Sequence, residues 1–211
     1  MKKLFIVIAI TFVAFNIEAQ NLSFGPTAGF GHSWNNADIG TAEKSFHPYY
    51  NIGGKLVYSF VTRWGISGDL KFSSEGQTIK TDGSKIVARA NYIRIPLQGI
   101  YFFGKFGNRV RPKISIGPSF GFLVGGKSKN GINNIETKTK DYWNTFDFGF
   151  TGAVGGNVRI ARATWLNLDL AYYHGLTDAA KFSGDAKNRN IGINVGVTFP
   201  LATVMPDKLT K

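Results

Sequence analysis

Residues 190–199 read N-I-G-I-N-V-G-V-T-F, and this strict alternation constrains the fold more than any other feature of the chain. Successive side chains of a β-strand point to opposite faces, so this strand has one apolar face and one face of small or polar residues. The apolar face carries Ile191, Ile193, Val195, Val197 and Phe199.

The same period recurs in seven earlier segments, each with its large apolar residues in one phase. Eight alternating segments predict an all-β fold, an eight-stranded antiparallel up-and-down barrel. The predicted strands cover residues 22–34, 49–60, 64–76, 88–103, 112–125, 145–159, 164–175 and 190–199.

The first 19 residues have the anatomy of an export signal. Lys2 and Lys3 precede an apolar run at residues 4–15, and Ala19 offers a small residue for cleavage. That run is shorter than the about 20 residues of a membrane-spanning helix. We therefore predict a signal peptide at residues 1–19, a single barrel domain at residues 20–200 and a C-terminal tail at residues 201–211.

Alternation alone is shared by soluble barrels, whose apolar face points inward, and membrane barrels, whose apolar face points outward. Three features favour the membrane barrel: a polar face rich in glycine, serine and asparagine, aromatic residues near strand ends, and loops of alternating length. The aromatic residues near strand ends include Trp64, Tyr101, Phe103 and Trp165. We predict a transmembrane β-barrel of a Gram-negative outer membrane.

The connections after the second, fourth and sixth predicted strands are short, and those after the first, third, fifth and seventh are long and polar. Outer-membrane barrels have short periplasmic turns and long external loops. This predicts that both termini are periplasmic, that Ser128 and Asn188 are external, and that Asn108 is periplasmic.

The formal charge of +12 would suggest nucleic acid as a partner for a cytosolic protein. Export excludes that partner and favours outer-membrane lipid, including lipopolysaccharide phosphates. Solvated loop charge without a ligand is the alternative interpretation. The chain has no cysteine, which excludes disulfides and thiol chemistry. We expect a monomer.

If the apolar face points to lipid, the opposite face places charges in the lumen. A proton or ion path is one interpretation, and a structural network of ion pairs is the other. The interior of an eight-stranded barrel holds only side chains, which favours the structural network. The predicted lumen charges are Lys55, Asp69, Lys71, Glu75, Arg94, Lys113, Asp147, Arg159 and Asp169.

The three histidines, His32, His47 and His174, are all predicted near the external rim. Serine and acidic residues lie nearby in sequence, so a rim-sited lipid hydrolase using His32 or His174 is an alternative function. No nucleophile motif, metal-ligand spacing or phosphate loop is present. We therefore predict no catalytic, cofactor or metal site and a non-enzymatic structural or binding role.

Residues 91–102 read N-Y-I-R-I-P-L-Q-G-I-Y-F, and residues 111–123 read R-P-K-I-S-I-G-P-S-F-G-F-L. The first segment resembles the YLxIPLLxKY strand of the PorT-like family of outer-membrane β-barrels, and the second resembles the RPYxxxGPxxGYLL strand of that family. Residues 168–178, L-D-L-A-Y-Y-H-G-L-T-D, with the strand that follows, resemble its closing hairpin. The resemblance implies an outer-membrane barrel. It also implies a further alternative function, as a component of a secretion or gliding assembly. Members of such families commonly end on an aromatic residue, whereas here a tail follows Phe199.

Overall fold

The computed structural model describes residues 22–60, 62–81, 84–105, 107–131, 135–161, 164–181 and 185–201. The predicted signal peptide lies outside the described residues, as does the predicted tail after its first residue.

Eleven strands and one short helix are found in the described residues. In chain order they are β1 (Leu22–Asn35), β2 (Glu43–Ser45), β3 (Pro48–Ser59), β4 (Trp64–Thr81), β5 (Ser84–Phe102), β6 (Val110–Gly125), β7 (Lys127–Asn130), β8 (Glu136–Lys138), α1 (Thr139–Tyr142), β9 (Phe146–Arg159), β10 (Trp165–Gly175) and β11 (Asn188–Pro200).

Eight long strands close into a ring, as the alternation predicts. Each long strand before the last pairs antiparallel with the next long strand in the chain, in the order β1, β3, β4, β5, β6, β9, β10 and β11. The ring closes where β1 pairs with β11, from Ser23 opposite Pro200 to Asn35 opposite Asn188. Closure leaves no unpaired edge in the wall.

The short connections between β3 and β4, between β5 and β6, and between β9 and β10 define one end of the barrel, here called the turn end, and the longer excursions lie at the other, the loop end. Leu22 and Leu201 meet at the turn end, where the Leu201 N–H donates to the Leu22 carbonyl at 3.0 Å.

The structure corrects the prediction of a long loop after the third strand. β4 continues to Thr81 and β5 begins at Ser84, so the two strands form a hairpin that extends past the barrel wall. The predicted loop at residues 126–144 likewise contains β7, β8 and α1. Residues 73–76 of β4 are buried on both faces, so the apolar alternation is lost there, while the β-branched residues that follow still favour extended backbone.

Polarity in the wall is inverted relative to a water-soluble barrel. Ile52, Ile116 and Ile193 are 63%, 67% and 57% exposed on the outer face, whereas Asp147 and Arg94 are 0% and 5% exposed inside. Among the described residues, no helix is long and apolar enough to cross a membrane.

Candidate functional site

A first ion-paired cluster fills the lumen near the turn end. Lys55 on β3 and Asp69 on β4 are register partners, with Lys55 Nζ 3.1 Å from Asp69 Oδ1. Lys71 Nζ contacts the other carboxylate oxygen of Asp69 at 2.8 Å. In the same half of the barrel, Lys113 Nζ is 3.0 Å from Asp169 Oδ1. All five side chains are largely shielded from solvent, so their mutual attraction offsets the cost of removing each charge from water.

A second cluster lies nearer the loop end and centres on Arg94. Its Nη2 donates to Glu75 Oε2 at 2.7 Å and to Asp147 Oδ2 at 2.6 Å, while its Nε also pairs with Glu75. The guanidinium lies 3.9 Å from the centroid of the Tyr173 ring, and the Tyr173 hydroxyl donates to Asp147 at 3.0 Å. One cation therefore holds two buried carboxylates and stacks on an aromatic face.

Uncharged groups complete this second cluster. Asn188 Nδ2 donates to Asp147 at 3.0 Å and to the Tyr92 hydroxyl at 3.2 Å. The lumen residues predicted from the sequence were all charged, so Asn188, Tyr92 and Tyr173 were not among them. The strand alternation could have identified the two tyrosines as lumen residues, because Tyr92 is in phase with Arg94 and Tyr173 is in phase with Asp169.

Asn188 also differs from its predicted external position. It is the first residue of β11 and is 3% exposed, with its side chain turned into the lumen. The loop-length pattern predicted its position from its place in the chain, but its amide is one of the donors that satisfy the buried Asp147 carboxylate.

Buried apolar side chains lie at both ends of the lumen. At the turn end, Val57, Ile100 and Phe102 form a buried cluster, with the guanidinium of Arg111 3.8 Å from the centroid of the Phe102 ring. At the loop end a larger cluster combines residues of the two strands β5 and β6 with residues of two connections, and Trp143 after α1 is its largest side chain. Its members are Ala88, Ala90, Tyr92, Leu123, Trp143 and Ala179.

Arg159 lies apart from both ion-paired clusters. It is half-buried at the last position of β9, opposite Trp165, and its guanidinium is 6.0 Å from the centroid of that ring. Trp165 has the phase of the lumen residues Asn167 and Asp169, so it belongs to the inner face. Trp64, Tyr101 and Phe103 pack edge to face on the outer face, with centroids 5.0 and 5.3 Å apart.

The structure does not bring the three histidines together around an acid. His32 stacks between Trp34 and Phe46 on the outer face. His174 is on β10, with Nε2 3.1 Å from Arg189 Nη2. Among the described residues, no group of three or more histidine or acidic side chains could hold a metal ion.

His47 is buried at the loop end, between β2 and β3. Its Nδ1 is 3.0 Å from Thr78 Oγ1, and its backbone N–H is 3.1 Å from His32 Nδ1. Burial, together with the positive charge of Arg89, lowers the pKa of His47 from 6.5 to about 4. The imidazole is therefore neutral at pH 7.

Cations outnumber acids in the described excursions at the loop end. The cations are Lys44, Lys80, Lys85, Arg89, Lys127, Lys129, Lys138, Lys140, Lys181 and Lys187. The acids are Asp38, Glu43, Glu136, Asp141, Asp178 and Asp185. This end of the molecule therefore has a net positive charge.

An apolar outer belt around a closed, ion-paired ring of eight strands defines an integral β-barrel membrane protein. A family model described as the outer membrane protein beta-barrel domain matches residues 18–181. The chain belongs to this family, and β11, which closes the ring, lies beyond the matched residues.

Two solved structures show the same fold. Neisserial surface protein A has a TM-score of 0.50 and 12% identity, over 84% of this chain and 96% of that chain. OprG from Pseudomonas aeruginosa has a TM-score of 0.53 and 11% identity, over 84% of this chain and 93% of that chain. A search of curated protein sequences finds no match.

Proposed function

We propose that this protein is a non-enzymatic binding or structural component of the outer membrane, with its loop end outside the cell and both chain ends on the periplasmic side. The observation that carries the proposal is the filled lumen. Ion pairs occupy the interior and apolar clusters lie at both ends, which leaves the external surface as the place where a partner binds.

The partner that suits this surface is an anionic lipid of the outer leaflet, such as lipopolysaccharide with its phosphates. Lysine and arginine next to a membrane surface attract phosphate-bearing headgroups, and the attraction weakens as salt screens it. The excess of cations at the loop end supplies this chemistry.

Cysteine labelling on intact cells tests the orientation. Cysteines replacing Ser128 and Asp185 should react with a membrane-impermeant maleimide, whereas one replacing Asn108 at the turn end should react only after the cells are opened. Asp185 is chosen as the labelling position in place of Asn188, because Asn188 is buried whereas the Asp185 side chain is 86% exposed. Labelling of Asn108→Cys in intact cells would contradict the orientation.

Binding to lipopolysaccharide tests the partner. The protein reconstituted in neutral phosphatidylcholine nanodiscs should bind purified lipopolysaccharide, and the affinity should fall as sodium chloride is raised. Release of fatty acid from the lipid, followed by mass spectrometry, would instead support the lipid hydrolase. Absence of binding at low salt would refute the proposed partner.

The resemblance to PorT-like barrels supports a second candidate, a component of a secretion or gliding assembly that docks through its turn end. The two segments that carry most of that resemblance lie in β5 and β6, around Arg94 and Arg111. Cross-linking from cysteines at residues 104–105 in native membranes, followed by identification of the captured proteins, separates this candidate from the first. Capture of a periplasmic or inner-membrane partner that is lost on shortening the turn would favour it.

A further inference from the structure

A groove of about 700 Å³ lies beyond the barrel wall at the loop end, between the extended part of β5 and the strands β7 and β8. β7 adds to the edge of β5 through Ile86–Ala88, and β8 adds to β7. The side chains around the groove are predominantly basic. They include Arg89, Lys127, Lys129 and Lys138.

These cations share one face of the small sheet. Val87 is opposite Lys129, and Lys127 is opposite Lys138, and residues directly opposite in a ladder point to the same side. Arg89 has the phase of Val87. Adjacent strands are about 4.8 Å apart, so the positive charges are spread over about 10 Å from β5 to β8.

The arrangement is unfavourable on its own. Lys127 and Lys138 form a directly opposite pair of like charges, which destabilises a ladder. Glu136 is the acid on this face in the described residues, and its carboxylate is 2.8 Å from Lys127 Nζ. The face therefore keeps an excess of positive charge that a bound anion with more than one charge would relieve.

Backbone contacts hold the groove in place. Gly126 has a φ of +135°, and a Cβ at this position would lie 2.1 Å from the Arg89 carbonyl oxygen, so only glycine allows the close approach. Thr139 Oγ1 donates to the same Arg89 carbonyl at 2.6 Å, and the Thr139 N–H donates to the Gly126 carbonyl at 3.2 Å. The start of α1 thus fixes β7 against β5.

The groove lies directly above the lipid-facing surface. Arg89 is in phase with Ile93 further along β5, and on β6 Phe122 and Val124 are each 44% exposed just before the chain enters β7. An amphiphile with its charged headgroup in the groove would place its acyl chains against these apolar residues.

We propose that this groove binds the headgroup of an outer-leaflet glycolipid that carries two phosphates. Lysine and arginine bind phosphate oxygens through charge-assisted hydrogen bonds, and the spread of cations matches two separated anionic groups rather than one. The inference rests on the proposed function, because it locates the lipid-binding role of the loop end at one groove.

The test uses the full chain folded in phosphatidylcholine nanodiscs, with purified diphosphoryl lipid A as the probe and native mass spectrometry as the readout. The variant Lys129→Gln/Lys138→Gln should weaken binding by about tenfold or more. The matched control is Lys44→Gln/Lys140→Gln, which removes the same charge from the loop end. Lys44 is opposite Ile79, and Ile79 is opposite Ile86, so Lys44 lies on the other face of the sheet from Val87 and the groove. The control should bind like the parent.

Equal losses in the two variants would overturn the groove assignment and leave the proposed function standing. Absence of lipid A binding by the parent protein would refute both the groove assignment and the proposed lipid-binding function. Lipid A stripped of its phosphates should bind at least about tenfold more weakly than the intact probe, and equal binding would overturn the role of the phosphates. Binding of water-soluble glucosamine 1,6-bisphosphate as tight as that of lipid A would overturn the assignment to a lipid.

Discussion

Lys113 on β6 and Asp169 on β10 form an ion pair across the strand that separates them, and Gly155 of β9 lies opposite both residues. The barrel is narrow enough for side chains two strands apart to meet, provided that the residue between them has no side chain. A Cβ on Gly155 would lie 2.5 Å from Asp169 Oδ1 and 2.1 Å from the Leu168 carbonyl oxygen. The ion pair therefore depends on this glycine.

We predict that Gly155→Ala destabilises the barrel by about 1–3 kcal/mol, the usual cost of overpacking. The added methyl group must displace either the Asp169 carboxylate or the β10 backbone. Urea unfolding in lipid vesicles measures the change in the free energy of unfolding.

Gly152→Ala is the matched control on the same strand. Its Cβ would have no atom nearer than the Ser115 carbonyl oxygen at 3.9 Å, so we expect little change in stability. Equal effects of the two substitutions would show that loss of glycine flexibility, rather than crowding of the ion pair, is responsible.

Removal of the Arg94 cation should be more damaging. Arg94→Ala leaves Glu75 and Asp147 as buried carboxylates without their shared partner, and we expect a loss of about 3–5 kcal/mol. Adding Glu75→Gln and Asp147→Asn to Arg94→Ala should recover part of the lost free energy of unfolding, because the uncompensated charges are removed. A triple variant no more stable than Arg94→Ala would contradict this electrostatic explanation.

Charges on the outer belt should act differently from charges in the lumen. Leu168 is 51% exposed on the outer face, and Leu168→Arg should cost about 2–4 kcal/mol if the residue lies near the bilayer midplane. Leu168→Ala controls for the loss of the leucine side chain. Folding titrations of Leu168→Arg in vesicles that match those of the parent would refute the outward assignment of this face.

The closed lumen predicts that the protein is not a porin. In planar bilayers the purified protein should show no steady, large conductance, because opening would separate the ion pairs in a medium of low dielectric constant. Arg94→Ala should loosen the barrel rather than produce a wider stable pore. A steady ion-selective conductance from the parent protein would favour the channel interpretation.

Acid should weaken the loop end through His47. The pKa of His47 is about 4 in the folded protein and about 6.5 when unfolded, so the unfolded chain binds the extra proton between these values. The stability contributed by the neutral imidazole is present above pH 6.5, is lost as the pH falls towards 4, and changes no further below 4. Subtracting the unfolding curve of His47→Gln from that of the parent isolates this dependence, and parallel curves from pH 7 to pH 4 would contradict it.

Alternation in the sequence was sufficient to predict the eight wall strands and the outward face of most of their large apolar residues. Ile193 and Leu168 are examples, because their side-chain direction depends only on a period of two and a closed sheet. The extended β4–β5 hairpin was not predictable in this way, since residues 73–76 of β4 are buried on both faces and Thr78 is 3% exposed, so a period of two no longer separates an inner from an outer face.

The sequence by itself determined that charges such as Lys113 and Asp169 share the inner face, because phase along a strand is a local property. Only the tertiary structure decided which charges meet: Asp69 receives two lysines, Arg94 holds two carboxylates, and Arg159 lies apart beside Trp165. Partner choice depends on strand register, on the stagger around the ring and on the glycine that leaves room between two strands. These are relations between residues far apart in the chain, and they exist only when the barrel is closed.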